Sequence, residues 1–255
     1  MSMSGEVKLR DRNKLAFDWL PDHCERLLDG GCAWGYSTAT YAPKAKALFG
    51  CDPSAEFIER ARKEHPEIQF VACPLERTPY ENESFDAITV TDVLEHVADD
   101  HQTLNELFRI LKPGGSLIIT TPNKGLFSFM DTENYAYYLR TKLPGLHRWM
   151  FRKKHGREPV PKVGYSSPHR HYSLKDYKSL LENSAFKGHF KIERVFYGGL
   201  FWYALSNNIF EALSVVTGLR AANLLTRPLK KLGDWDFFIN YGRLSYNIGL
   251  LIKKT

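Results

Sequence analysis

Cysteine is scarce and unpatterned in this chain. Its 255 residues hold four, Cys24, Cys32, Cys51 and Cys73, with no C-x-x-C pair and no histidine at metal-ligand spacing. That argues against a disulfide framework and a zinc site, so no metal is expected and a reducing compartment is the default. Long apolar runs are missing too. The most apolar segment, Val195 to Leu205, is shorter than the ~20 residues of a spanning helix, and Asn207, Asn208 and Glu211 interrupt the residues after it. No transmembrane segment is therefore expected. Met1 to Leu20 is too charged for a signal peptide, which makes a cytoplasmic protein the expectation. There is no internal repeat, no low-complexity tract, and no strict G-x-G-x-x-G dinucleotide fingerprint.

What is present is an ordinary globular composition, 43% hydrophobic and 25% charged, long enough to bury a sizeable core as one α/β domain with insertions. Charge is divided unevenly. Residues 1–123 hold 13 Lys and Arg against 20 Asp and Glu, whereas residues 124–255 hold 22 against 9, so a net −7 faces a net +13. The first half reads as a catalytic core and the second as a basic, aromatic-rich appendage.

The chain is organised around Arg26-Leu27-Leu28-Asp29-Gly30-Gly31-Cys32-Ala33-Trp34-Gly35. An apolar run ends in an acid and a glycine-rich turn, and a helix from Tyr36 to Tyr41 follows until Pro43 stops it, as at the mouth of an α/β sheet. Such a turn lets backbone approach a ligand closely, and the helix start offers N–H groups to an anionic end. A second strand, Lys46 to Cys51, ends at Asp52-Pro53. Asp52 lies 23 residues after Asp29, where a carboxylate can accept both hydroxyls of a ribose; the alternative is a solvated loop aspartate. Ser54 caps a helix with Phe57, Ile58 and Ala61 on one face. Ile68 to Cys73 is a third strand, followed by Pro74, and Ala87 to Val90 is a fourth, leading into Thr91-Asp92-Val93-Leu94-Glu95-His96. Asp99 and Asp100 start a helix lined by Leu104, Leu107, Phe108 and Leu111, ended by Lys112-Pro113-Gly114-Gly115 before a fifth strand, Ser116 to Thr121.

From Lys124 to Pro168 no strand pattern is evident, and Arg148, Arg152, Lys153, Lys154, Arg157 and Lys162 make the stretch basic. Ser173 opens a helix with Leu174, Tyr177, Leu180 and Leu181. Phe190 to Phe196 and Ser245 to Ile252 read as the last two strands. Between them Leu200 to Val216 is an amphipathic helix with Phe201, Leu205, Ile209, Ala212 and Val216 on one side, and Arg227, Lys230 and Lys231 come after it.

The spacing D-x-G-x-x-x-G at Asp29, Gly31 and Gly35 resembles motif I of the class I S-adenosylmethionine-dependent methyltransferases, usually D-x-G-x-G-x-G, with Ala33 in the middle glycine's place. Thr78-Pro79-Tyr80-Glu81-Asn82-Glu83-Ser84-Phe85-Asp86 is similar to the family's L-P-F-x-x-x-S-F-D stretch. Leu111-Lys112-Pro113-Gly114-Gly115 before an apolar strand resembles it again, especially the ubiquinone and menaquinone biosynthesis type. The likeness covers Leu27 to Asn123.

The resemblance implies a Rossmann-like α/β fold, a seven-stranded, mostly parallel sheet with helices on both faces and with insertions in the C-terminal half. It implies one domain over 1–255, with 1–123 binding the cofactor and 124–168 and 198–243 serving as substrate, lid or membrane-facing insertions. S-adenosylmethionine is the implied cofactor, met by Asp29, Gly30, Gly31, Ala33, Gly35, Asp52, Pro53, Cys73, Pro74 and Thr91. Cys73 stands where the family often has the adenine-binding aspartate, so a backbone group or Glu76 could replace it there. Arg12 is either a partner for the methionine carboxylate or a solvated helix residue.

The implied reaction is methyl transfer to a small-molecule acceptor, O-methylation of a hydrophobic, lipid-linked or anionic metabolite, with His96, His169 or His171 as base and with peripheral contact to a membrane. The rival readings are an RNA methyltransferase and a non-catalytic cofactor-binding protein. Nucleic acid is disfavoured because the loop after the fourth strand lacks the N/D-P-P-Y/W stretch of base amino-group methylating relatives. Oligomeric state is left open.

Overall fold

The computed structural model describes residues 11–159 and 168–255, so the opening polar residues and Lys162 lie outside it. In chain order the elements are α1 (Asp11–Trp19), β1 (Cys24–Gly30), α2 (Tyr36–Thr40), β2 (Ala45–Asp52), α3 (Ala55–Glu64), β3 (Gln69–Ala72), β4 (Phe85–Thr91), α4 (Asp100–Ile110) and β5 (Leu111–Pro122). There follow α5 (Thr132–Lys142), α6 (Pro144–His155), α7 (Leu174–Glu182), β6 (Phe190–Gly198), α8 (Phe201–Thr217), α9 (Leu219–Phe237) and β7 (Asn247–Lys254). The chain divides into two compact units. One comprises residues up to Thr120 with Asp176–Val195 and Gly249–Thr255, the other Thr121–Lys175 with Phe196–Ile248.

In the first unit the seven strands run in the order β3-β2-β1-β4-β5-β7-β6, and the pairs β3·β2, β2·β1, β1·β4 and β4·β5 are parallel. Helices flank the sheet, so its central strands are covered on both sides and read as continuous apolar runs. Leu27 and Leu28 of β1, Ala87, Ile88 and Val90 of β4, and Leu117 to Ile119 of β5 are all buried. Because β1 pairs with β2 on one side and β4 on the other, the winding reverses there, and an open α/β sheet leaves a crevice at the carboxyl ends of such strands.

The flanking helices start as their caps dictate. Ser54 Oγ accepts the Phe57 N–H at 3.3 Å for α3, and Asp99 Oδ1 accepts the Gln102 N–H at 2.9 Å for α4. Two expectations need correction. Phe57 does not share the buried face of Ile58 and Ala61 but stands out beside the Trp34 ring, 5.8 Å away. The Lys112-Pro113-Gly114-Gly115 run lies inside β5 rather than before it, as a bulge: Phe85 pairs with Leu111 and Ala87 with Ser116. The end of α4 is closed from the other end of the chain, where buried Lys254 donates from Nζ to the carbonyls of Phe108 (2.9 Å) and Leu111 (2.7 Å).

In the second unit α5 and α6 fill the basic stretch, and α8 packs on α9. The amphipathic reading of α8 is corrected. Its buried residues are Tyr203, Ala204, Ser206 and Ser214, while Phe201, Ala212 and Val216 are exposed. Helix α9 went unread in the sequence because Pro228 and Gly233 interrupt its pattern. Gly233 is what lets α8 approach, since a Cβ there would lie 2.7 Å from Ser206 Oγ. Near the end of α9, buried Asp236 caps α8: its Oδ2 accepts the N–H groups of Leu200 (2.8 Å) and Tyr203 (2.9 Å), and its Oδ1 the Tyr241 hydroxyl (2.8 Å).

Candidate active site

A cavity of about 370 Å³ opens in the first unit where the winding reverses. Asp29 and Gly31 border it from the end of β1, Thr91 and Asp92 from the end of β4, and Arg12 from α1. The turn between β1 and α2 is left-handed three times, at Gly31 (φ +75°), Ala33 (φ +47°) and Gly35 (φ +82°). Its glycines also serve packing, for a Cβ on Gly31 would lie 2.2 Å from Val93 Cγ2 and one on Gly35 2.6 Å from the Phe70 ring. Gly31 and Cys32 both donate N–H to the Cys51 carbonyl, at 2.8 and 3.0 Å.

Two carboxylates hold this turn in different ways. Asp29 is buried and accepts hydroxyls only, from Thr38 (2.7 Å) and Thr89 (2.8 Å). Burial pushes its carboxyl up to about 6, against the opposing pull of those two hydrogen bonds. Asp52 sits at the tip of β2, half-buried, with Oδ2 accepting the Ala33 N–H (3.1 Å) and Oδ1 the Ser54 N–H (2.8 Å). Burial raises its carboxyl as well, against those N–H donors.

Of the ten expected cofactor contacts, Asp29, Gly31, Ala33 and Thr91 border the cavity, whereas Gly30, Gly35, Asp52, Pro53, Cys73 and Pro74 do not line it. Cys73 closes the end of β3, donating its N–H to the Asp52 carbonyl at 3.1 Å. Glu76, the alternative for adenine, has Oε1 committed to the Ala98 N–H at 2.8 Å. The four cysteines are free and buried, and burial holds the Cys32 thiol well above its ordinary range. Arg12 is neither solvated nor unpaired, for its guanidinium meets the Asp92 carboxylate. His96 lies in the turn after β4, donating its backbone N–H to Val93 (2.8 Å).

The other two candidate bases belong to the second unit and share a partner that sequence reading missed. His169 Nδ1 and His171 Nε2 each stand 2.7 Å from Oδ2 of buried Asp131. Burial alone would raise that carboxyl, but the two imidazole hydrogen bonds outweigh it and hold it well below the usual carboxylate range. The only signal in the sequence was an N-cap aspartate, since Asp131 Oδ1 also accepts the Glu133 N–H at the start of α5 (2.9 Å). One carboxylate and two imidazoles with donor atoms within 4.8 Å are also a set that could hold a metal ion.

The methyltransferase-domain family matches residues 28–119. The chain is 35% identical over 133 residues to the mitochondrial ubiquinone biosynthesis O-methyltransferase of Rattus norvegicus, covering 49% of this chain and 39% of that protein. It is 32% identical over 125 residues to the demethylmenaquinone methyltransferase of Beutenbergia cavernae, covering 48% and 50%. The matched stretches thus span half or less of these relatives. Among solved structures, a putative sarcosine dimethylglycine methyltransferase from Galdieria sulphuraria superposes with a TM-score of 0.58 at 17% identity, over 95% of this chain and 83% of that one. A YcgJ protein from Bacillus subtilis superposes with a TM-score of 0.55 at 16% identity, over 95% and 98%, and both show the fold alone. Strand order, the turn after β1 and the family match agree: residues 28–119 are similar to a methyltransferase domain and sit in the sheet that such a domain would use.

Proposed function

We propose that the chain binds S-adenosylmethionine in the cavity at the ends of β1 and β4 and transfers its methyl group to an oxygen of a hydrophobic small molecule. The observation that carries the reading is the cavity's position at the reversal of winding, walled by the left-handed turn and by buried Asp29. The residues fit the cofactor chemically. Asp29, which burial leaves reluctant to ionise, gains from an ammonium group such as that of the methionine moiety. Each oxygen of Asp52 accepts one backbone N–H and has a lone pair left for a ribose hydroxyl.

The cofactor when bound supplies an electrophilic methyl group. The protein then has to orient the acceptor, exclude water and remove a hydroxyl proton. His96, His169 and His171 are the proposed bases. Asp131 favours the last two, because a carboxylate on one ring nitrogen fixes the tautomer and the orientation of the imidazole. The relatives named for ubiquinone and menaquinone synthesis support a hydrophobic, membrane-soluble acceptor, with peripheral membrane contact as part of the same reading.

Calorimetric titration of Asp52→Ala with S-adenosylmethionine tests the cofactor assignment. Loss of hydrogen bonds to a charged group should weaken binding by about 1.5–3 kcal/mol. An affinity equal to that of the wild type removes Asp52 from the ribose site.

A further inference from the structure

Helix α9 has three faces where a helix packed on one side needs two. Ala222, Thr226, Gly233, Asp236 and Phe237 form the buried face. At roughly 100° per residue, Leu224, Leu225, Pro228, Leu232 and Trp235 fall on a second arc about 100° wide, which meets the buried face at Leu225 and turns away from it towards Leu224. That arc is bare: Leu224 is 70% exposed, Trp235 64%, Leu225 60% and Leu232 45%. Val216, near the end of α8 and just before the turn into α9, is 79% exposed as well. The third face is basic. Arg220, Arg227 and Lys231 run along one border of the apolar arc, all exposed, and among the described residues no ion pair to an acid is seen for any of them. Lys230 is not part of this row, since its Nζ lies 3.5 Å from the centre of the Phe210 ring.

An exposed apolar arc of leucines and a tryptophan beside a row of cations is the arrangement of a helix that lies in the plane of a membrane interface. No described helix is long and apolar enough to cross a membrane, so the contact is with its surface. We propose that α9, with the end of α8, docks on a bilayer containing anionic phospholipid, the apolar arc entering the acyl boundary and Arg220, Arg227 and Lys231 meeting headgroup phosphates. Charge selects this occupant: residues 124–255 carry the net +13, which suits an anionic lipid surface and opposes pairing with a second, equally basic copy. The proposal deepens the reading of a hydrophobic acceptor, because it names the surface from which such an acceptor would be drawn.

The test is co-sedimentation of the full chain with vesicles of phosphatidylcholine alone or mixed with phosphatidylglycerol. Binding should favour the anionic vesicles and weaken with added salt. The Arg220→Glu, Arg227→Glu, Lys231→Glu triple variant should lose roughly a hundredfold in vesicle affinity, and Leu224→Ser with Leu225→Ser roughly tenfold. Every one of these side chains is exposed, and the circular dichroism spectrum and urea midpoint of each variant, expected to match the wild type, report on an intact fold. Equal binding to both vesicle types, or unaltered vesicle binding by both variants, overturns the proposal. So does a dimer that Leu224→Ser with Leu225→Ser converts to monomer while vesicle binding persists. A wild-type chain that sediments with vesicles but binds no S-adenosylmethionine would overturn the enzymatic reading and leave this one standing.

Discussion

The two units are held together in different ways. In the first, buried polar groups serve a turn built from neighbouring strand ends: Asp29 takes hydroxyls from α2 and β4, and Asp52 takes N–H groups from the turn and from the cap of α3. In the second, an aromatic cluster of Tyr203, Phe237 and Tyr246 with Phe127 and Phe196 forms the centre, and single residues tie together segments far apart in sequence. Asp236 reaches back 36 residues to Leu200, and Asn123 donates its side-chain N–H to Ser245, 122 residues on. Long-range hydrogen bonds occur in both, as Lys254 to Leu111 shows for the first, but strand periodicity organises that region and an aromatic cluster between packed helices the other.

Asp236→Ala is the strongest way to break this comparison. It strips the cap from α8 and leaves the buried Tyr203 N–H and the half-buried Leu200 N–H and Tyr241 hydroxyl without their acceptor, at a cost of about 3 kcal/mol. Urea unfolding should show that loss, while S-adenosylmethionine affinity under native conditions stays at the wild-type value. Should affinity fall in step with stability, the units behave as one cooperative body and the contrast is void.

The same contrast explains what could be read in advance. Strands β1 to β5 and the turn after β1 were legible because each is a local pattern, an apolar run closed by an acid, a glycine or a proline, and motif I added a spacing. The bulge in β5 was not, because Pro113-Gly114-Gly115 carries identical turn chemistry whether it ends a helix or interrupts a strand. Helix α9 and the true buried face of α8 were hidden for a related reason. Thr226, Gly233 and Asp236 are small or polar residues buried by close helix packing and by capping, which a search for apolar spacing passes over. Asp131 was invisible as a partner of His169 and His171, since its 38-residue separation from His169 closes only in three dimensions.

A pH series sharpens the comparison from the side of the first unit. Asp29 titrates at about 6 when folded and near its ordinary 3.8 when unfolded, so the folded state holds the proton more tightly between these values. Stability from this group is therefore fully present below the unfolded value and is lost as pH rises through 6, by about 3 kcal/mol in all. Asp131, held low, acts with the opposite sign: its contribution is present above the ordinary carboxylate range and is lost only in strong acid. Asp29→Asn should accordingly gain on the wild type by up to about 3 kcal/mol between pH 4 and 7, read from paired urea melts. A constant difference across that window would mean that burial of Asp29 costs no ionisation energy. Because an ammonium-bearing ligand favours the ionised form, S-adenosylmethionine affinity should rise through the same window.

The smallest expected effect concerns backbone strain, and it too separates the units. Among the described residues every non-glycine with positive φ lies in the first unit, whereas the positive-φ positions of the second, Gly156, Gly199, Gly218 and Gly242, are already glycines. Ala33 at φ +47° is the instance that matters for the site, since a left-handed conformation costs an L-residue about 1–2 kcal/mol. Its N–H bond to Asp52 helps to hold it there. Glycine keeps that N–H and relieves the methyl group, but it also enlarges the unfolded ensemble by about 0.4–1 kcal/mol. Ala33→Gly should therefore stabilise the chain by only about 0.5–1 kcal/mol, seen as a raised urea midpoint at unchanged slope. A lowered midpoint would mean that the Ala33 methyl group contributes packing worth more than the strain it causes, and the turn would then be held by contact rather than by Asp52.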